Sequence, residues 1–184
     1  ARLVERLLLP AMNLRGVQSG GVGERAANAI QPEARASIDF RLVPDQTPDA
    51  IRELVEKHVR SQGFHVVHDT PEAEARRREA RLVKLEWGPG YPATRTSMDL
   101  PVSRAVVRVL EEAAGGDIVE LPALGGSVPM YVFEKELGAP LIGVPIVNHD
   151  NNQHAADENL RLQNLWDGIE SFALLMARLD TAWP

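Results

Sequence analysis

The chain contains no cysteine in its 184 residues. That excludes disulfide stapling, thiolate metal ligands and a cysteine nucleophile, and it fits a cytoplasmic setting. An excess of basic charge is also lacking. Lys and Arg number 20 against 26 Asp and Glu, a formal net charge of −6, so no nucleic-acid footprint is expected. The one basic run, Arg76-Arg77-Arg78, sits among Glu72, Glu74 and Glu79 and reads as a solvated mixed-charge face. No apolar run approaches the roughly 18 residues of a membrane span. The opening "ARLVERLLLPAMNLRG" has no initiating methionine, no basic n-region and no small-residue cleavage site. It reads as the interior of a longer chain.

What is present is an ordinary globular composition, 44% hydrophobic and 25% charged, enough for one domain or two small ones. "ARASIDFRLV" alternates: Ala34, Ala36, Ile38, Phe40 and Leu42 share one face, while Arg35, Ser37, Asp39 and Arg41 share the other. This predicts a half-buried strand with one polar face. "QTPDAIRELVEKHVRSQG" predicts a helix with Thr47 as N-cap, Pro48 in its first turn, Ile51, Leu54, Val55, His58 and Val59 as its apolar stripe, and Gly63 as its stop. "FHVVHD" and "RLVKLEW" read as short strands around a charged helix at 71–80. Strands backed by a helix point to a small α+β sandwich.

"GPGYPATRTSMDLP" is a Gly/Pro-rich break and the best boundary, dividing the chain into 1–87 and 88–184. Beyond it the rhythm becomes α, β, α, β, α, with strands at "DIVELPA" and "PLIGVPIV" and a last helix from about 158 to 179. That alternation is the pattern of a layered α/β sheet. The last helix would be capped by Asp157, carry Glu158 in its first turn, and bury Leu162, Leu165, Ile169, Phe172, Ala173, Met176 and Leu179.

Three places could carry chemistry. Gly125 and Gly126 allow close backbone approach ahead of a helix, with Ser127 as its N-cap; such amides attract carboxylates, and an ordinary Gly-Gly turn with a serine cap explains the residues equally. His154 and His149, in "NHDNNQHAADENL", are possible metal ligands. Zinc takes three or four ligands, and beyond Asp150 no tight carboxylate cluster lies near them. His58, His65 and His68 read as packing or surface residues. Arg41 lies on the polar strand face, where a guanidinium can clamp a carboxylate, and Asn28 follows the loop "SGGVG". Each of these two, taken alone, reads more readily as an ordinary surface residue.

Together and in this order, "NLRGVQSGGVGERAANAIQPEARASIDFRLVPDQTPD", "LGGSVPMYVF" and "PIVNHDNNQHAADENLRL" resemble the di-zinc metallopeptidases and amidohydrolases: aminoacylases, carnosinases, glutamate carboxypeptidases and succinyl-diaminopimelate desuccinylase. The resemblance implies an α/β protein overall. Residues 1–87 would be the second part of an α+β two-layer lid that also forms the homodimer, and 88–184 the C-terminal part of a layered α/β catalytic domain. It implies that His154 is one zinc ligand of a two-zinc site. Asn28, Arg41, Gly125, Gly126 and Ser127 would contact a peptide or N-acyl amino acid substrate. Leu124 stands where carnosinase-like members carry an acid, which argues against carnosinase-type specificity. The remaining zinc ligands and the general base would lie upstream, so this segment would be inactive without the N-terminal half of the enzyme. The alternative is a non-catalytic dimerisation or ligand-binding module built on the same architecture.

Overall fold

The computed structural model describes residues 2–183. It contains six α-helices and four strands: α1 (Leu3–Leu7), β1 (Ala11–Gln18), β2 (Arg35–Arg41), α2 (Pro48–Ser61), β3 (His65–Val67), α3 (Ala73–Arg78), β4 (Leu82–Lys84), α4 (Pro101–Ala114), α5 (Tyr131–Leu137) and α6 (Leu162–Ala182). The chain divides into two compact units. A ribbon unit holds Leu8–Thr94 and Ser127–Tyr131; a helical unit holds the residues up to Leu7, Arg95–Gly126 and those from Val132 onward. Both helices and small sheets are present, the mixed α and β character the sequence implies.

In the ribbon unit, β1 and β2 pair antiparallel and form a sheet of their own. The pairs Met12–Phe40, Leu14–Ile38 and Val17–Ala36 alternate with Asn13–Asp39, Gly16–Ser37 and Gln18–Arg35. Because strand side chains alternate between faces, one face is apolar and the other polar, as the alternation in β2 predicts. Between Leu14 and Gly16 the register shifts by one, with Arg15 as the extra residue. The bulge brings Val17, rather than Gly16, onto the apolar face.

The expected burial of that face does not occur within the chain. Met12 is 67% exposed, Leu14 62% and Val17 66%. The physical reason is that α2 packs beside β3 rather than across the β1–β2 ribbon, so no helix covers it.

Helix α2 follows its local grammar. Thr47 Oγ1 accepts from the Ala50 amide at 3.2 Å, and Pro48 occupies the first turn, where its missing N–H costs nothing. Gly63 ends the helix at φ +84°, a left-handed conformation glycine adopts freely. Ile51, Val55 and Val59 are half-buried, whereas Leu54 and His58 of the expected stripe are exposed. Strands β3 and β4 pair in parallel around α3.

The helical unit is held by α4 against α6. Val102, Ala105, Val106 and Val109 are buried on α4. Gly168, buried on α6, lets the helix approach so closely that an added Cβ would fall 2.8 Å from Ile146 Cγ2. The Arg178 guanidinium meets Glu112 at 2.6 Å, and Arg108 donates to the Ala182 carbonyl at 2.5 Å.

Three expectations are corrected here. "DIVELPA" and "PLIGVPIV" are extended but are not strands; a strand exists only by pairing, and neither has a pairing neighbour among the described residues. Helix α6 begins at Leu162, because Arg161 is extended at φ −67°, ψ 133°; Asp157 and Glu158 precede it and do not cap it. The buried stripe also differs. Gly168, Leu165, Ser171, Leu174, Leu175 and Leu179 are buried or half-buried, while Leu162, Ile169, Phe172 and Met176 are exposed. The helix carries two apolar stripes, and the less exposed one contains Gly168, which lies against the Ile146 side chain.

Candidate functional site

The first site lies on the polar face of the ribbon unit. Asp39 and Arg41 are two residues apart on β2 and therefore project from the same face, opposite Asn13 and Ala11 of β1. Arg41 Nε donates to Asp39 Oδ2 at 2.6 Å, and Arg41 Nη1 donates to Ser127 Oγ at 2.5 Å. Arg41 and Ser127 are 86 positions apart in sequence, so folding rather than local geometry brings them together. The segment carrying Ser127 has a second anchor in the same unit. Tyr131 stacks on Tyr91 with ring centroids 5.7 Å apart and planes within 8°.

Ser127 is therefore not the N-cap expected of it. The following helix starts four residues later, at Tyr131, and the serine hydroxyl accepts from a guanidinium instead. Asn28 lies exposed in the loop before β2, and among the described residues no hydrogen bond joins it to Arg41 or Ser127. Gly125 and Gly126 belong to the helical unit. Neither has the positive φ that favours glycine. A Cβ on Gly125 would meet only Leu7 Cδ2 at 3.9 Å, and one on Gly126 would meet nothing within 4 Å. Neither backbone strain nor crowding among the described residues explains why these positions are glycine.

The second site is the loop 148–160 of the helical unit. Its hub is Asn148, 4% exposed. Asn148 Nδ2 donates to Asp150 Oδ1 at 2.9 Å and to Asn159 Oδ1 at 3.1 Å, and its Oδ1 accepts from the Arg161 amide at 3.0 Å. Arg161 Nη2 donates to Asp150 Oδ2 at 2.5 Å. The Asn148 hydrogen bond, aided by the nearby charges of Arg161 and His149, holds the Asp150 carboxyl below its ordinary pKa. Asp150 thus closes the loop.

Within this loop His154 is exposed and left-handed, at φ +64°, and its amide donates to Glu158 Oε2 at 3.3 Å. Asn152 and Asp157 are left-handed as well, at φ +55° and +60°. Asn, Asp and His are the non-glycine residues found most often in that conformation. Among the described residues no group of three or more His, Asp or Glu is placed to hold a metal ion. These residues do not by themselves fit a metal centre, although an exposed imidazole on a braced loop fits the part of a single ligand.

Residues 2–66 match the family model of the M20 peptidase dimerisation domain. This stretch is similar to a peptidase dimerisation domain. The match spans β1, β2 and α2 and ends within β3. Over 170 residues, 92% of the chain, the sequence is 23% identical to the Cys-Gly metallodipeptidase DUG1 of Candida albicans, covering 33% of that protein.

The fold is similar to that of the M20 family metallo-carboxypeptidase Sso-CP2 from Sulfolobus solfataricus, with a TM-score of 0.73 at 24% identity over 95% of this chain and 37% of that one. It is similar to the di-peptidase Dug1p of Saccharomyces cerevisiae, with a TM-score of 0.68 at 19% identity over 96% and 35%. It is similar also to human carnosine dipeptidase 1, with a TM-score of 0.69 at 17% identity over 95% and 35%. The chain thus spans about a third of the length of the relatives it matches. The resemblance to the metallopeptidases is upheld by the dimerisation domain and by these three folds. Among the described residues no helix is long and apolar enough to cross a membrane.

Two functional candidates escaped the reading of the sequence. Asp39 was visible only as one polar residue in an alternating strand, although the spacing Asp-x-Arg already puts carboxylate and guanidinium on one face. Asn148 gave no signal, because a buried amide hub is made by partners 2 to 13 residues away.

Proposed function

We propose that the chain is the C-terminal portion of a di-zinc metallopeptidase or amidohydrolase that hydrolyses amide bonds of peptides or N-acyl amino acids, and that dipeptides such as Cys-Gly are the first substrates to test. Residues 1–87 serve as the second part of the lid and dimerisation domain, and 88–184 as the C-terminal part of the catalytic domain. The observation that carries this reading is the meeting of Arg41 and Ser127 in one unit. A guanidinium with free N–H groups beside a hydroxyl is a carboxylate cradle.

In this reading Arg41 and Ser127 bind the substrate's carboxylate, Asn28 adds a polar contact, and Gly125 and Gly126 supply backbone amides. His154 holds one zinc ion through its imidazole, with the other ligands and the general base contributed by the N-terminal half. Bound zinc supplies polarisation of the amide carbonyl and activation of water. The segment alone is inactive. The apolar ribbon face supports a homodimer.

The test is metal content and activity of the full-length protein. Wild type is expected to hold two zinc ions per chain and to hydrolyse Cys-Gly; His154→Ala is expected to lose one zinc and the activity. Full zinc content and full activity in that variant would remove His154 from the site. A full-length protein with neither zinc nor hydrolysis would favour the non-catalytic dimerisation or ligand-binding module.

A further inference from the structure

We propose that Asp39 is a positioning residue for substrate: its carboxylate holds the Nε edge of Arg41, so that the guanidinium presents its Nη end, beside Ser127, to a substrate carboxylate. The proposal rests on the reading of Arg41 and Ser127 as a carboxylate cradle and adds the element that orients it.

A guanidinium carries five N–H groups in a planar fork. In this structure Nε is committed to Asp39 at 2.6 Å, and one N–H of Nη1 to Ser127 at 2.5 Å. Three N–H groups remain, one on Nη1 and two on Nη2. A carboxylate can meet arginine bidentately along its Nε–Nη2 side or across its Nη1–Nη2 end. Asp39 occupies the side. The Nη1–Nη2 end is left, with Ser127 Oγ bonded to one of the two Nη1 N–H groups.

The backbone enforces the arrangement. Asp39 and Arg41 sit at fixed register on β2, opposite Asn13 and Ala11 of β1. The alanine opposite Arg41 provides no hydrogen-bonding or charged side chain to compete for the guanidinium. Arginine loses considerable rotamer freedom when its fork is fixed, and a pairing two residues away in the same strand meets part of that cost before substrate arrives.

Asp39 also places a negative charge near the incoming carboxylate, which opposes binding. The side chains of Arg41 and Asp39 are 44% and 29% exposed, so solvent screens the repulsion. Orientation outweighs charge here. Two variants separate the effects. Asp39→Asn removes the charge but keeps an oxygen that can accept from Nε, whereas Asp39→Ala removes both.

The experiment uses the full-length, zinc-loaded protein with Cys-Gly and with Cys-glycinamide, which lacks the carboxylate, as substrate or competitive inhibitor. Asp39→Ala is expected to raise KM for Cys-Gly about tenfold with kcat little changed. It should leave the affinity for Cys-glycinamide at the wild-type value, and Asp39→Asn should restore the KM for Cys-Gly to within about twofold of wild type. A merely structural role would move both ligands together. The proposal is overturned if Asp39→Ala leaves KM unchanged, if both variants lower it, if Asp39→Asn is no better than Asp39→Ala, or if Cys-glycinamide is affected equally. Arg41→Ala with an unchanged KM, or a wild type that does not act on Cys-Gly, would instead bring down the cradle reading itself.

Discussion

His154 sits at φ +64°, a conformation costing a non-glycine residue roughly 1–2 kcal/mol. The loop around it is closed by Asn148, Asp150 and Arg161, so folding elsewhere offsets that cost. Replacing His154 by glycine should stabilise the protein by about 1 kcal/mol relative to His154→Ala in urea unfolding, while both remove the imidazole. Equal stability of the two would mean that the left-handed backbone is not retained in solution. Asp150 gives a pH signature. Its folded pKa is depressed, so its stabilising effect is present above the unfolded value near 4 and is lost as pH falls through the folded one. The stability difference between wild type and Asp150→Asn should therefore be constant around neutrality and vanish in acid; a difference that grows on acidification would contradict the assignment. The sequence singled out His154 and Arg41 through motif resemblance. Asp39 was legible only as a strand-face neighbour of Arg41, and Asn148 not at all, because its hydrogen bonds join residues that periodicity does not bring together.

Helices with caps and stops in their own sequence were legible: α2 keeps Thr47, Pro48 and Gly63 in the expected places, and the charged helix at 73–78 falls inside its expected span. Elements defined by neighbours were not. "PLIGVPIV" has a strand's composition, yet the amide of Leu141 bonds to Thr96 Oγ1 at 2.8 Å rather than to an adjacent strand. Helix α6 misled for a related reason. Two apolar stripes satisfy the helical period, and periodicity alone cannot tell which one meets α4. Gly168 packs on Ile146, which gives a packing prediction. Gly168→Ala should cost about 1–3 kcal/mol by overpacking against Ile146, whereas Gly116→Ala, with nothing within 4 Å of its added Cβ, should change stability little. Urea unfolding of the two variants side by side makes the comparison.

At the scale of the molecule, the sequence conveyed the mixed α and β class and the resemblance of its first part to a dimerisation domain. It also implied a covered ribbon, and the ribbon is open within one chain. A two-stranded sheet with Met12, Leu14, Val17 and Ile38 exposed is marginal in water unless something covers it. The similarity of this stretch to a peptidase dimerisation domain supports the proposal that a second copy is the cover. Ile38→Asp or Leu14→Asp should shift the full-length protein from dimer toward monomer in sedimentation, leaving α2 and the helical unit folded by circular dichroism. Dimers of undiminished strength in both variants would place the interface elsewhere. Gly126→Ala belongs to the same scale, because its effect depends on substrate: an unchanged unfolding curve with weaker Cys-Gly binding is expected, and unaltered binding would remove Gly126 from the substrate-contacting residues.

The extra residue at Arg15 bears on how this chain is compared with its relatives. Deleting it would not shorten a loop; it would straighten the strand and leave Gly16, Val17 and Gln18 opposite Ser37, Ala36 and Arg35, on the faces they hold now. A relative without that residue should therefore keep the characters of the following positions, small then apolar. A one-residue gap aligned there marks a lost bulge with the strand pairing preserved.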